Sequence, residues 1–164
     1  MTRPLISINI QQQTLTLYTG DRIIRHYQVS TASNGVGEIN GSECTPRGHH
    51  IIRAKIGAQA IPNTVFRARR PTGEVFSEAL RREFPDRDWI LTRILWLSGK
   101  EPGRNRLGNV DTMRRYIYIH GCPDADVMGQ PSSHGCIKMK NTDVIDLFDR
   151  VDVGTVVTIS DSQE

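Results

Sequence analysis

Ser132-Ser133-His134-Gly135-Cys136-Ile137-Lys138-Met139 is the stretch on which the reading of this chain turns, because it carries a second copy of the tripeptide His120-Gly121-Cys122, fourteen residues downstream. Two of the three cysteines and two of the five histidines therefore fall between residues 120 and 136. A thiol beside an imidazole supplies the parts of a thiolate nucleophile: a free cysteine of pKa about 8.5 is only a few per cent ionised at neutral pH and gains from an adjacent base. The glycine before Cys136 allows a close backbone approach, or a turn closed to other residues, so that neighbouring amides can converge on one oxygen.

Working outward, the chain reads mostly as strands. Arg115 to His120 alternates so as to put Tyr116, Tyr118 and His120 on one face. Leu5–Ile10, Thr14–Tyr18 and Ile23–Ser30 alternate in the same way, with Gly20-Asp21 between the second and third, and predict a β meander. Thr45-Pro46-Arg47-Gly48 is a turn with proline second and glycine fourth, and His49–Ile56 returns to strand character. In the middle, Glu78–Phe84 makes a short helix stopped at Pro85, and Trp89–Leu97 a strand that runs into the polar loop 98–105. At the end, Asn141 or Thr142 caps a helix whose Val144, Leu147, Phe148 and Val151 share one face, and Thr155–Ile159 is a last strand.

Composition narrows the class. A chain of 164 residues holds one well-buried core and is short for two. Its net charge of +3, from 21 basic and 18 acidic residues, is scattered and forms no stripe for nucleic acid. No run of eighteen apolar residues predicts a membrane span. After Met1-Thr2-Arg3-Pro4 the chain enters a strand pattern without the apolar region of an export signal, so a cytoplasmic protein is expected. A periplasmic domain separated from its signal is the other reading, and the odd number of cysteines suits a reducing compartment better.

The histidines and cysteines admit two chemistries. Two His-x-Cys pairs contain the donors of a closed tetrahedral zinc, although zinc pairs are usually separated by two to four residues and one intervening residue on a strand provides no knuckle. Alternatively Cys136 is a covalent nucleophile, with His120 approaching from another strand. A small packing role for the cysteines is the plain alternative to both.

His120-Gly121, the intervening segment to Ser132, and then Ser133-His134-Gly135-Cys136-Ile137-Lys138-Met139 with Asn141 resemble the signature of the YkuD-type L,D-transpeptidase domain. The likeness continues through Thr45-Pro46-Arg47-Gly48 and through Asp143, Leu147-Phe148, Val151 and Gly154-Thr155, and covers a single domain over residues 5–159. Two positions depart from the usual pattern: Cys122 stands where threonine is common, and Lys138 where arginine is usual. The resemblance implies a mainly β fold, a β-rich sandwich with one or two short helices.

It also implies a set of roles. Cys136 would attack the carbonyl of the L-centre of diaminopimelate in a peptidoglycan stem, releasing terminal D-alanine and leaving a thioester. His120 would be the base, Gly121 would orient it through its carbonyl, and amides near His134, Gly135 and Cys136 would form the oxyanion hole. Ser133, Tyr118, Lys138, Arg106 and Arg115 join these as candidates for substrate contact, with Arg93 and Arg104 as further basic residues close in sequence. No metal and no cofactor is implied. The expected partners are peptidoglycan stem peptides or soluble muropeptides. The expected activity is a cytoplasmic cysteine L,D-carboxypeptidase of muropeptide recycling; the alternatives are a periplasmic L,D-transpeptidase, which crosslinks or exchanges D-amino acids, and a zinc-stabilised or non-catalytic wall-binding module.

Overall fold

The computed structural model describes residues 3–161; Met1 and Thr2, which belong to the segment read for an export signal, lie outside them. The meander forms as β1 (Pro4–Asn9), β2 (Thr14–Thr19) and β3 (Arg22–Gln28), each antiparallel to the one before. β4 (Gly48–Ile56) follows the Thr-Pro turn, then come β5 (Thr64–Arg67) and β6 (Arg70–Val75), joined by a tight turn. α1 (Glu78–Glu83) starts where Ser77 Oγ accepts from the Leu80 amide, and carries Glu78 in its first turn and Arg81 and Arg82 in its last, in accord with the helix dipole. β7 (Ile90–Gly99), β8 (Tyr118–Gly121), β9 (Ile137–Met139), α2 (Asn141–Arg150) and β10 (Val156–Ser160) complete the chain.

Hydrogen bonds link ten strands in the order β3-β2-β1-β10-β4-β7-β5-β6, with β8 pairing to both β7 and β9. β1 closes on β10 in parallel register, Leu5 opposite Val156 and Ile8 opposite Ile159, so the two ends of the chain share the sheet centre. Ile8, Leu15, Leu95, Leu97, Ile119 and Ile137 come from strands far apart in that order yet belong to one buried cluster, so the sheet wraps around a common core. Val144, Leu147, Phe148 and Val151 of the α2 segment seal it, as their spacing predicts. Each such side chain contributes roughly 1.5–3 kcal/mol by leaving water.

Three local expectations are corrected. β8 begins only at Tyr118, because Tyr116 has φ 57° and turns the chain just before the strand. β3 stops at Gln28, and Ser30 instead makes an isolated bridge with Lys138. Neither Asn141 nor Thr142 caps α2: Lys140 holds the cap position without a side-chain bond, and the Asn141 side chain turns inward. The β5–β6 hairpin was not legible, since the residues at its turn, Ala68 and Arg69, are neither glycine nor asparagine yet have φ of 48° and 64°.

Candidate active site

Parallel pairing of β8 with β9 sets Ile119 opposite Ile137, His120 opposite Lys138 and Gly121 opposite Met139, so that Cys136, one residue ahead of β9, comes to the Tyr118 end of β8. Cys136 lies just ahead of β9, after Gly135 at φ 131°. That turn is held from both sides. Thr45 Oγ1 donates to Gly135 O at 2.9 Å while accepting from Ala32 N, and Ser133 Oγ accepts from Gly135 N at 3.2 Å and donates to Cys136 O. The Thr-Pro turn, ninety residues away, is thus the support of the Cys136 backbone.

The Cys136 thiol sits between two backbone groups of the β8 entry: it accepts from Tyr118 N at 3.3 Å and donates to Tyr116 O at 3.4 Å. The imidazole of His120, 1% exposed, bonds through Nδ1 to Gly121 O at 2.6 Å. A carbonyl accepts only, so Nδ1 carries the proton and Nε2 is left as the basic nitrogen. Gly121 is fixed in turn. Asn141 Nδ2 donates to Cys122 O, Asp124 Oδ1 and Asn63 Oδ1, and Thr92 Oγ1 donates to Asn141 Oδ1 at 2.6 Å. Thr92 has φ 77° at an irregularity in the β7–β8 pairing, a conformation unfavourable for a β-branched residue, and it is fully buried against this network.

Burial pushes the Cys136 thiol up to about 12, with the Tyr118 amide opposing and the Asp88 carboxylate adding to the rise. Burial also lowers the His120 imidazole below its usual value, against the raising effects of Asp88 and the Gly121 carbonyl. Both shifts favour the neutral forms of the thiol and the imidazole near neutral pH. The difference spectrum between wild type and Cys136→Ser is expected to show no thiolate absorbance between about pH 6 and pH 9. Because the imidazole titrates below its ordinary value, kcat/KM should rise on an acid limb below about pH 6.5 and stay flat to mildly alkaline pH. A thiolate band already present at neutrality would contradict this arrangement.

Thiol and imidazole open into one cleft of about 490 Å³, which Ser133, Tyr118, His134 and Arg115 also line. Arg115 spans its floor, donating to Gly37 O, Ser42 Oγ and Cys44 O. Gly121 and Gly135 do not line the cleft; they hold the backbone behind it. Lys138 turns toward an adjoining cavity, bonded to Asp126 Oδ2 and Ser132 Oγ at 3.1 Å each. Arg106 and Arg104 are exposed on the 98–106 loop away from the cleft lining, and Arg93 is buried with Nη1 on the carbonyls of Ala60 and Thr92. Closeness in sequence misplaced Arg104 and Arg106, because the ten residues of β7 carry the chain away before their loop begins, and it misplaced Arg93 because that side chain is buried on backbone carbonyls. Three further charged residues line the cleft: Arg67 and Arg69, from a cluster of arginines visible in the sequence, and Asp88 just before β7.

The other cysteines and histidines have local partners. Cys122 Sγ, buried, donates to Met139 O; His50, fully buried, bonds Gly48 O and Thr112 Oγ1; His26 Nδ1 meets Thr16 Oγ1. Among the described residues no group of three or more His, Cys, Asp or Glu could hold a metal ion. Asp126 joins Arg81 at 2.7 Å and Lys138, tying the 122–133 loop to α1 and β9. Burial alone would raise its carboxyl pKa, but the bonds and charges of these two cations outweigh burial and hold it below the usual carboxylate range. A depressed carboxyl stabilises the fold above its unfolded value near 4 and loses that contribution as pH falls through the folded value. Asp126→Asn should thus cost about 1–2 kcal/mol at neutral pH and progressively less as pH falls below about 4, read from denaturant unfolding at neutral and acidic pH.

Comparison with known proteins follows this geometry. The family model for the YkuD L,D-transpeptidase catalytic domain matches residues 3–159. A Bacillus licheniformis protein assigned by name to the L,D-transpeptidases as YkuD is 26% identical over 155 residues, which are 94% of this chain and 64% of that protein. Among solved structures, an L,D-transpeptidase from Mycobacterium smegmatis superposes with TM-score 0.57 at 19% identity over 97% of this chain and 59% of that one. L,D-transpeptidase 3 from Mycobacterium tuberculosis, in complex with a faropenem-derived adduct, superposes with TM-score 0.60 at 16% identity over 98% and 61%. The chain therefore spans roughly three fifths of the length of these relatives. With His120, Ser133, His134 and Cys136 of the signature lining one cleft and a family match over nearly the whole length, this chain belongs to the YkuD L,D-transpeptidase catalytic domain family.

Proposed function

We propose that the protein is a cysteine L,D-carboxypeptidase that removes terminal D-alanine from peptidoglycan tetrapeptide stems, acting on soluble muropeptides in the cytoplasm. The observation that carries the reading is the shared cleft of the Cys136 thiol and the His120 imidazole, whose Nδ1 is tied to Gly121 O and whose Nε2 is left to accept a proton. As Sγ bonds to the carbonyl carbon, its proton passes to His120 Nε2. The C–N bond to D-alanine then breaks, the leaving amine takes that proton, and a thioester remains. Water adds to the thioester with His120 again accepting the proton, and the tripeptide acid leaves as the thiol is restored.

The developing oxyanion needs donors held in advance. The Cys136 amide has no backbone partner among the described residues, whereas the Gly135 amide is engaged by Ser133 Oγ, so the Cys136 N–H is the first donor in this reading. Size supports water as acceptor, since a cleft of about 490 Å³ is in the range that holds one small ligand. A second reading, transfer to an amine, is favoured by the adjoining cavity of about 330 Å³, which shares Asp88 and His134 with the cleft and could seat a second stem.

Incubation with a diaminopimelate tetrapeptide, with and without a diamino acceptor, separates the two by mass. Tripeptide as the dominant product in both cases supports hydrolysis; crosslinked dimer or exchanged D-amino acid at a comparable rate establishes the transferase instead. Fractionation of cells carrying the tagged full-length protein tests the compartment.

A further inference from the structure

We propose that Arg69 and Asp88 select stems whose third residue ends in a free amino-acid head, Arg69 taking its carboxylate and Asp88 its ammonium group. The inference rests on the stem-peptide reading above and names two specificity residues for it. Arg69 stands on the tight β5–β6 turn and reaches across the cleft. Its guanidinium lies 4.7 Å from the Trp96 ring centre and 4.8 Å from that of Tyr116, and Nη1 donates to Tyr118 Oη at 3.0 Å. Two aromatic rings and a phenol thus set the direction of the guanidinium, but no carboxylate pairs with it among the described residues, and its remaining N–H groups stay available for a forked contact.

Asp88 is the complementary group. It is the cleft's own carboxylate, it has no hydrogen bond or ion pair among the described residues, and it stands where the cleft meets two adjoining cavities. Its neighbour Arg87 is already committed to Glu74 at 2.8 Å. An unpaired acid and a guanidinium without a carboxylate partner, lining the same cleft, make a receptor for a zwitterion, and leave one charge uncompensated for a ligand bearing only one of the two groups.

Reach agrees with this pairing. The Tyr118 amide holds the attacking sulfur, and the Tyr118 hydroxyl holds Arg69, so one tyrosine side chain separates the reacting atom from the guanidinium. In a diaminopimelate stem the carbonyl under attack and the distal amino-acid carbon are separated by five C–C bonds, about 6 Å when extended. That is comparable with the span of a tyrosine from its amide to its hydroxyl. The negative field of Asp88 also opposes ionisation of the Cys136 thiol, so an ammonium group bound there would ease the attack.

The test uses the full chain and four tetrapeptides that differ at the third residue: diaminopimelate, diaminopimelate with its side-chain carboxylate amidated, diaminopimelate with its distal amine acetylated, and lysine. Wild type should favour the free head by roughly ten- to hundredfold in kcat/KM. Arg69→Gln should erase the preference over the amidated peptide mainly through KM, with Arg69→Lys keeping part of it. Asp88→Asn should erase the preference over the peptide whose distal amine is acetylated. Equal turnover of all peptides by wild type, or an equal loss on all of them in either variant, overturns the inference while leaving the stem-peptide reading intact. If no peptide is cleaved, that reading fails. Calorimetric binding of the diaminopimelate tripeptide and its amidated form then decides the inference independently: tenfold tighter binding of the free head, lost in Arg69→Gln, supports it, and equal binding overturns it.

Discussion

Cys136→Ser is expected to lower turnover of a diaminopimelate tetrapeptide by at least about 10³-fold while leaving the unfolding midpoint within about 2 °C of wild type. The two outcomes separate because Sγ touches only backbone polar groups, Tyr118 N and Tyr116 O, which a serine hydroxyl can also engage. Chemistry suffers far more than packing. A hydroxyl is much less acidic than a thiol, and the base facing it has been made weaker by burial, which lowers the His120 pKa against the pull of Asp88 and the Gly121 carbonyl. Product formation by mass spectrometry and thermal unfolding on the same preparation check the pair. Full turnover by the serine variant would dismiss Cys136 as the nucleophile.

Gly121→Ala is expected to damage stability and activity together, by about 1–3 kcal/mol and about 10²-fold in kcat. A methyl group there would fall on Asn141 Oδ1, 2.6 Å from Leu91 O and 3.2 Å from Thr92 Cβ. None of these can retreat cheaply. Asn141 is bound at Cys122 O, Asp124 and Asn63 through one nitrogen, and Thr92 already sits at a strained φ of 77°. The clash therefore displaces the Gly121 carbonyl, and with it the tautomer and direction of the His120 ring. Denaturant unfolding and steady-state kinetics check it, with kcat expected to fall further than KM rises. A variant with wild-type kcat would show that the carbonyl at Nδ1 is dispensable.

The parts of the fold legible in the amino-acid order were those whose signal is local. The β1–β3 meander, α1 with its stop before Pro85, and the apolar stripe of α2 follow from alternation, a helix-ending proline and 3.6-residue spacing, and each formed within a residue or two of its expected bounds, β3 apart. Asn141 was misread because its type suits a helix cap and nothing nearby reveals the buried carbonyl of Cys122 that its amide meets. The β5–β6 hairpin was missed for a related reason: Ala68 and Arg69 accept positive φ only because the surrounding sheet and the Arg69 stack on Trp96 and Tyr116 repay it.

The candidate site divides along the same line. Cys136 and His120 were recognisable because a thiol, an imidazole and glycines at set spacing are rare in combination, and β8–β9 pairing then brings them to the lining of one cleft. Arg104 and Arg106 were drawn in by closeness in sequence, which is a poor guide when a ten-residue strand intervenes. Lys138 keeps its charge but spends it on Asp126 and Ser132.

By itself, then, the amino-acid order determined the family, the mainly β architecture and the paired thiol and imidazole, because those depend on residue types and short-range periodicity. Only the tertiary structure decided which charges face the thiol. Arg67, Arg69 and Asp88 reach the cleft through a hairpin and a strand entry more than thirty residues upstream of His120, and burial there, rather than the residue types, shifts both the thiol and the imidazole toward their neutral forms.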